Sequence, residues 1–259
     1  MRVSSNFDSG SIIVLDVDLD GKGIVNLRLR PDQVSDPAVD IRQWFHFRLQ
    51  GARGRAVTLR IAGCADSTYP AGWRDYRACA SYNRVRWFRV PTSFDGDVLA
   101  IAHAPERDSV YYAYFEPYSW ERHLALLGRA EDSPRARVID LGSTLDGRDI
   151  NLVRISTDPA AAESDAGRKR CWIIARQHPG ETMAEWLAEG LLERLLDPRD
   201  PVAARLLAAA DFYVVPNMNP DGSVRGNLRV NAAGANLNRE WMAPSPARSP
   251  EVLGVRAFM

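Results

Sequence analysis

Histidine and cysteine are scarce in this chain, lysine is scarcer still, and no apolar run is long. The three cysteines (Cys64, Cys79 and Cys171) are odd in number and form no CxxC. That excludes a disulfide framework and a zinc knuckle, and it fits a reducing compartment. Every basic residue other than Lys22 and Lys169 is arginine, but both types carry one positive charge, so the skew has no functional weight. Lys+Arg and Asp+Glu both number 33, giving a formal net charge of zero. No overall field would draw the chain to nucleic acid or to an anionic membrane. The N-terminal region holds only the apolar run Ile12 to Leu15, too short for the core of a signal peptide. No stretch approaches the ~18–20 apolar residues of a membrane span. A soluble cytoplasmic protein is the expectation, and 259 residues with 46% hydrophobic content are ample for a buried core.

What is present divides near Pro117. Residues 1–116 read as all-β. Segments rich in branched and aromatic residues recur: SIIVLDV, GIVNLRLR, QWFHFRLQ, RAVTLRIAG, NRVRWFRVP, DVLAIAH and VYYAYFEP. Turn formers such as Asp20-Gly21, Gly51, Gly54 and Asp95-Gly96 separate them, which predicts a small sandwich without helices. The basic-aromatic stretch 74–90 alternates as a two-sided strand does, and no nucleic-acid face is expected there.

Residues 117–259 predict the first part of an α/β domain with a parallel or mixed sheet. Ser119 caps a helix to about Gly128 with Trp120, Leu124 and Leu127 as its apolar stripe. Two strands (ARVIDLG and INLVRIST) follow around Asp146-Gly147, then a polar surface loop at 157–169. CWIIA reads as a buried central strand. A helix begins at Glu181, with Met183, Ala184, Leu187, Ala188, Leu191, Leu192 and Leu195 on one face. PVAARLLAAA forms a second helix, DFYVVP a strand, Asn219-Pro220-Asp221-Gly222 a turn, and SPEVLGVRAFM the start of another helix.

His178 and Glu181 carry the sharpest chemistry. Three residues apart, they share a face if the intervening chain turns as a helix does. His178 sits at the carboxyl end of a predicted strand, where open α/β sheets place ligands. Pro179 extends the backbone of His178 and Gly180 permits a tight turn. The helix dipole behind Glu181 favours its carboxylate. A neutral imidazole and a carboxylate converging in this way supply two of three protein ligands for zinc, with a position left for water. The competing reading is a histidine that only caps the helix. Further on, Arg225, Arg229, Arg239 and Asn238 lie in a Gly- and Asn-rich stretch. Guanidinium groups grip carboxylates and stabilise oxyanions, although a solvated loop with surface arginines has the same composition. His46 and His103 read as strand residues.

Taken together, HPGE at 178–181, NPDG at 219–222, GNLR and NLNREW resemble the carboxypeptidase A superfamily of zinc metallocarboxypeptidases, most closely its cytosolic carboxypeptidase branch. LGSTLDGRDI is similar to the stretch ahead of the zinc strand. WFRVPTSFDG and YYAYFEPYS resemble the sandwich domain that precedes the peptidase domain in that branch. The resemblance covers most of the chain from about Trp44.

It implies a zinc metallocarboxypeptidase acting on the C-terminus of peptides or proteins. His178 and Glu181 would bind zinc, Arg229 would polarise the scissile carbonyl, and Asn238 and Arg239 would hold the substrate carboxylate. In the family a further histidine ligand, a glutamate general base and a substrate-binding tyrosine come later. No histidine follows His178 before Met259, so this chain is expected to lack the third ligand and the base. Two alternatives are a non-catalytic binding module and an aspartoacylase-like zinc deacylase; the N-terminal sandwich and the NPDG turn speak against the deacylase.

Overall fold

Among the described residues, ten short strands precede the first α-helix: β1 (Arg2–Ser4), β2 (Ile13–Val17), β3 (Ile24–Arg28), β4 (His46–Gln50), β5 (Val57–Ala62), β6 (Cys79–Ser81), β7 (Trp87–Arg89), β8 (Thr92–Phe94), β9 (Leu99–His103) and β10 (Ser109–Ala113). The computed structural model describes residues 1–17, 22–159 and 168–259. The Asp20-Gly21 turn and most of the 157–169 loop lie outside the described residues. By its contacts the chain forms two units, Met1–Pro117 with Ser223–Arg229, and Tyr118–Gly222 with Val230–Met259.

The first unit holds two five-stranded sheets, ordered β1-β4-β10-β6-β7 and β2-β3-β5-β9-β8. The first is antiparallel throughout; the second contains one parallel pair, β3 with β5. Alternation drives both. Val57, Leu59 and Ile61 are buried on β5 while Arg60 between them is exposed, the period of two that a pleated strand imposes. One buried cluster takes Phe47, Leu49, Val110 and Tyr112 from the first sheet and Val25, Leu27, Leu59 and Ile61 from the second. Each such side chain contributes about 1.5–3 kcal/mol of burial free energy.

Three details depart from the sequence expectation. A 3-10 turn, Pro70–Trp73, interrupts the strands and buries Trp73. The 74–90 stretch is a hairpin of β6 and β7 rather than one strand. Strands β1, β6, β7 and β8 are three residues each, too short to show a period.

In the second unit α1 (Trp120–Glu131) is followed by β11 (Ala136–Ser143), β12 (Asp149–Ile155), β13 (Lys169–Ile174), α2 (Met183–Leu196), α3 (Pro201–Ala209), β14 (Ala210–Val215), the first half of α4 (Pro220–Arg225), whose last three residues are assigned to the first unit, and α5 (Pro250–Phe258). The sheet order among the described residues is β11-β12-β14-β13, with β13 parallel to β14 and the other pairs antiparallel, a mixed sheet as expected; β13 stands at its edge and is half-buried rather than buried and central. Ser119 caps α1 by accepting from the Arg122 N–H. That helix runs three residues past Gly128, and its buried face is His123, Leu126, Leu127 and Ala130; Leu124 is exposed.

Helix α2 also presents a different face from the expected one. Met183 and Leu187 face solvent, whereas Glu185 and Glu189 are buried beside Ala188, Leu192 and Leu195. Glu189 takes a forked pair of bonds from Arg122, at 2.8 and 3.0 Å, and another from Arg129 at 2.6 Å. A carboxylate so paired can be withdrawn from water without being left uncompensated. Asn-Pro-Asp-Gly opens α4 rather than forming a turn. Asn219 Oδ1 accepts from the Gly222 N–H at 3.0 Å, as a helix cap does, and Pro220 starts the helix.

Candidate metal centre

Strand β13 ends at Ile174, and the pairing continues one residue further through Ala175, whose N–H reaches the Val215 carbonyl at 2.9 Å. The chain then reverses. Arg176 has φ 49°, and the Glu181 N–H closes a turn on the His178 carbonyl at 3.0 Å. Glu181 therefore sits in the turn, two residues before α2, rather than inside the helix.

The turn brings His178 Nδ1 to 3.0 Å from Glu181 Oε1. His178 is buried and Glu181 exposed. The other ring nitrogen, Nε2, lies 3.2 Å from Asn236 Oδ1. Both facing oxygens accept; with a metal in place of the Nδ1 proton, the bond to Asn236 would hold the remaining proton on Nε2 and leave the Nδ1 lone pair for the ion. With bonds of ~2.0–2.2 Å to a tetrahedral zinc, two ligand atoms stand ~3.3–3.6 Å apart. The observed pair needs only a few tenths of an ångström to admit the ion, and its donor types suit zinc. Among the described residues no third His, Cys, Asp or Glu joins them in a metal-holding group.

Two further segments are tied to this turn through Gln177. Its carbonyl accepts from Asn219 Nδ2 at 3.3 Å, and its side-chain Oε1 accepts from Trp241 Nε1 at 2.7 Å. Gly222 lets α4 approach. A Cβ there would stand 2.4 Å from Pro179 Cγ and 2.5 Å from the Val230 carbonyl oxygen. Asp221 is fully buried and accepts from Thr144 Oγ1 at 2.8 Å, the Asp146 N–H at 2.9 Å and Arg148 at 2.7 Å. The NPDG acid thus clamps the β11–β12 connection.

The remaining expected site residues are placed as follows. Asn238 and Arg239 are exposed in a 3-10 turn, Leu237–Arg239, that Asn236 caps by accepting from the Asn238 N–H. Arg229 is half-buried and belongs to the first unit. There the Asp32 carboxylate accepts from the N–H groups of Leu228 and Arg229, both at 2.7 Å. His46 and His103 lie on β4 and β9, as expected. His46 is wholly buried, and burial, reinforced by the Arg84 charge, pushes its pKa down to about 3. Sequence reasoning missed Asn236 and Gln177. Both flank recognised residues, Asn238 and His178, but nothing in their spacing marks them.

The chain matches two family descriptions: "Cytosolic carboxypeptidase N-terminal domain" over residues 3–115 and "Zinc carboxypeptidase" over residues 123–251. A Zymomonas mobilis protein is 44% identical over the whole chain, which spans 64% of that protein's length. Human cytosolic carboxypeptidase 1 is 29% identical, again over the whole chain, which spans 24% of it. The crystal structure of a Burkholderia cenocepacia metallo-carboxypeptidase superposes with a TM-score of 0.91 at 53% identity, over 99% of this chain and 66% of that one.

Proposed function

The chain belongs to the zinc carboxypeptidase family, in the branch that carries a cytosolic carboxypeptidase N-terminal domain, and on that footing we propose that it acts as a zinc metallocarboxypeptidase. Its substrates are the C-termini of peptides or proteins, and its compartment is the cytoplasm; no helix among the described residues is long and apolar enough to cross a membrane. The observation that carries this reading is the facing pair His178 Nδ1 and Glu181 Oε1, with Asn236 holding the far side of the ring. The match over 3–115 favours it over an aspartoacylase-like deacylase or a binding module.

His178 and Glu181 are the zinc ligands in this reading. Zinc held there would supply a Lewis acid for the scissile carbonyl and would make water more acidic. Arg229 donates to the carbonyl oxygen as negative charge develops, and Asn238 with Arg239 holds the substrate carboxylate by charge-assisted hydrogen bonds. Two ligands hold a metal less firmly than three. We also read residues 1–116 as a sandwich domain whose faces are the two five-stranded sheets, and 117–259 as part of the peptidase domain. The shared core cluster supports the first assignment.

Calorimetric zinc titration of the wild type, His178→Ala and Glu181→Ala tests the centre. Binding should be measurable in the wild type and lost in both variants. Equal affinity in wild type and His178→Ala would remove the assignment.

A further inference from the structure

A buried ionic strut stands behind the metal turn. Arg176 is one of four non-glycine residues with positive φ among the described residues, and the other three belong to the first unit. Its guanidinium is buried and folds back over the turn it begins. Nε donates to the Pro179 carbonyl at 2.9 Å; Nη1 donates to the Tyr118 carbonyl at 2.8 Å and to Glu185 Oε2 at 2.7 Å. Glu185, on α2, is wholly buried, and its Oε1 lies 2.8 Å from His123 Nδ1 on α1. A continuous line therefore runs from α1 through α2 to a carbonyl inside His178-Pro179-Gly180-Glu181.

Left-handed backbone at a non-glycine residue and a fully buried ion pair are both unfavourable features that persist only where the surroundings impose them. Here they coincide at the entry to the candidate centre, and the core of α2 accepts a carboxylate where an apolar residue would fill the same space. We infer that Arg176, held by Glu185, is a positioning residue that fixes the separation of His178 and Glu181 for the metal. The inference rests on the zinc reading above and extends it to residues that touch neither metal nor substrate. The action is on spacing: by holding the Pro179 carbonyl, Arg176 sets the chain direction between the two ligands, which lie on either side of that peptide. Outer-shell groups of this kind typically change metal affinity ~10–100-fold when removed.

The test uses the full chain with zinc alone as the probe. Arg176→Gly accepts the positive φ without strain, so it separates the backbone from the side chain. Because it strands the charge of Glu185, Arg176→Gly/Glu185→Gln accompanies it; Gln keeps an acceptor for His123 and removes both charges. Variants are compared by cooperative thermal unfolding, zinc affinity and, without metal, exchange of the Glu181 amide hydrogen, which is bonded to the His178 carbonyl. The expected result is a folded double variant with zinc affinity down ~10–100-fold and Glu181 amide exchange at least tenfold faster, while the Val214 amide in the sheet is unchanged. Wild-type zinc affinity or unchanged Glu181 exchange in the folded double variant overturns the inference. His178→Ala run in parallel separates the two failures. If that variant binds zinc as the wild type does, the metal reading itself falls and the strut's role falls with it.

Discussion

Asn236 Oδ1 accepts from His178 Nε2 across 3.2 Å, and the two residues are 58 apart in sequence. This bond decides which imidazole nitrogen is free for a metal. Asn236→Asp keeps the acceptor and adds charge, which raises the basicity of the ring. Zinc affinity should rise in Asn236→Asp and fall ~10–100-fold in Asn236→Ala. Asn236 also caps the 237–239 turn, and Asp caps as well as Asn, so the aspartate variant isolates the ring effect. A lower affinity in Asn236→Asp than in the wild type would show that Nε2 is not the protonated atom.

Gly222→Ala should destabilise the chain by about 1–3 kcal/mol, the usual cost of overpacking. The added methyl would meet both Pro179 Cγ and the Val230 carbonyl, and neither is the tip of a flexible side chain. Urea denaturation measures the loss, and the displaced Pro179 should also weaken zinc binding. A change below about 0.5 kcal/mol, the range of an ordinary surface substitution, would mean that the two segments are not in contact.

Glu251 is fully buried at the start of α5 and takes hydrogen bonds from Asn231 Nδ2 at 3.1 and 3.3 Å. Burial pushes its pKa up to about 7 from the ordinary 4.5. The folded state then holds a proton that the unfolded chain releases, so stability is full below pH 4.5 and declines as pH rises towards 7. The slope contributed by this residue is at most about 1.4 kcal/mol per pH unit. Glu251→Gln should flatten the decline and be more stable than the wild type at pH 8. Parallel stability–pH curves for the two proteins would refute the buried acid.

His46 works in the opposite direction. Neutral in the fold and bonded to Ser9 Oγ at 2.9 Å, it must bind a proton to unfold at low pH, since its pKa is about 3 rather than the ordinary 6.5. Its contribution is present above pH 6.5 and is lost as pH falls towards 3. His46→Gln should lower stability at neutral pH yet reduce the acid-side slope by up to about 1.4 kcal/mol per pH unit. An unchanged slope would place the acid transition on other groups.

The strands with visible alternation, such as β5 and β9, and the helices with caps, such as α1 at Ser119, follow from local pattern. So does the His178–Glu181 pair, because three residues in a tight turn are local too. What pattern reading misplaced depends on distant partners. Glu185 and Glu189 face inward on α2 because Arg176, Arg122 and Arg129 reach them, so a polarity rule applied to the helix alone selects the wrong face. NPDG has turn composition, yet Asn219 caps and Pro220 starts a helix whose Asp221 is consumed by the 144–148 connection. Asn236 and Arg176 likewise acquire their roles only from the tertiary contacts they make.

The grip of Asp32 on the N–H groups of Leu228 and Arg229 has a consequence for biosynthesis. The first unit consists of residues 1–117 and 223–229, so its last piece leaves the ribosome only after residues 118–222 have been made. At ~5–20 residues per second that delay is roughly 5–20 s. During it the Asp32 carboxylate, buried in the finished protein, has neither of its amide donors. The nascent β-rich unit must therefore wait, open at that point, for a segment encoded beyond the metal turn. Its completion and the synthesis of the candidate centre are thereby tied to the same stretch of translation.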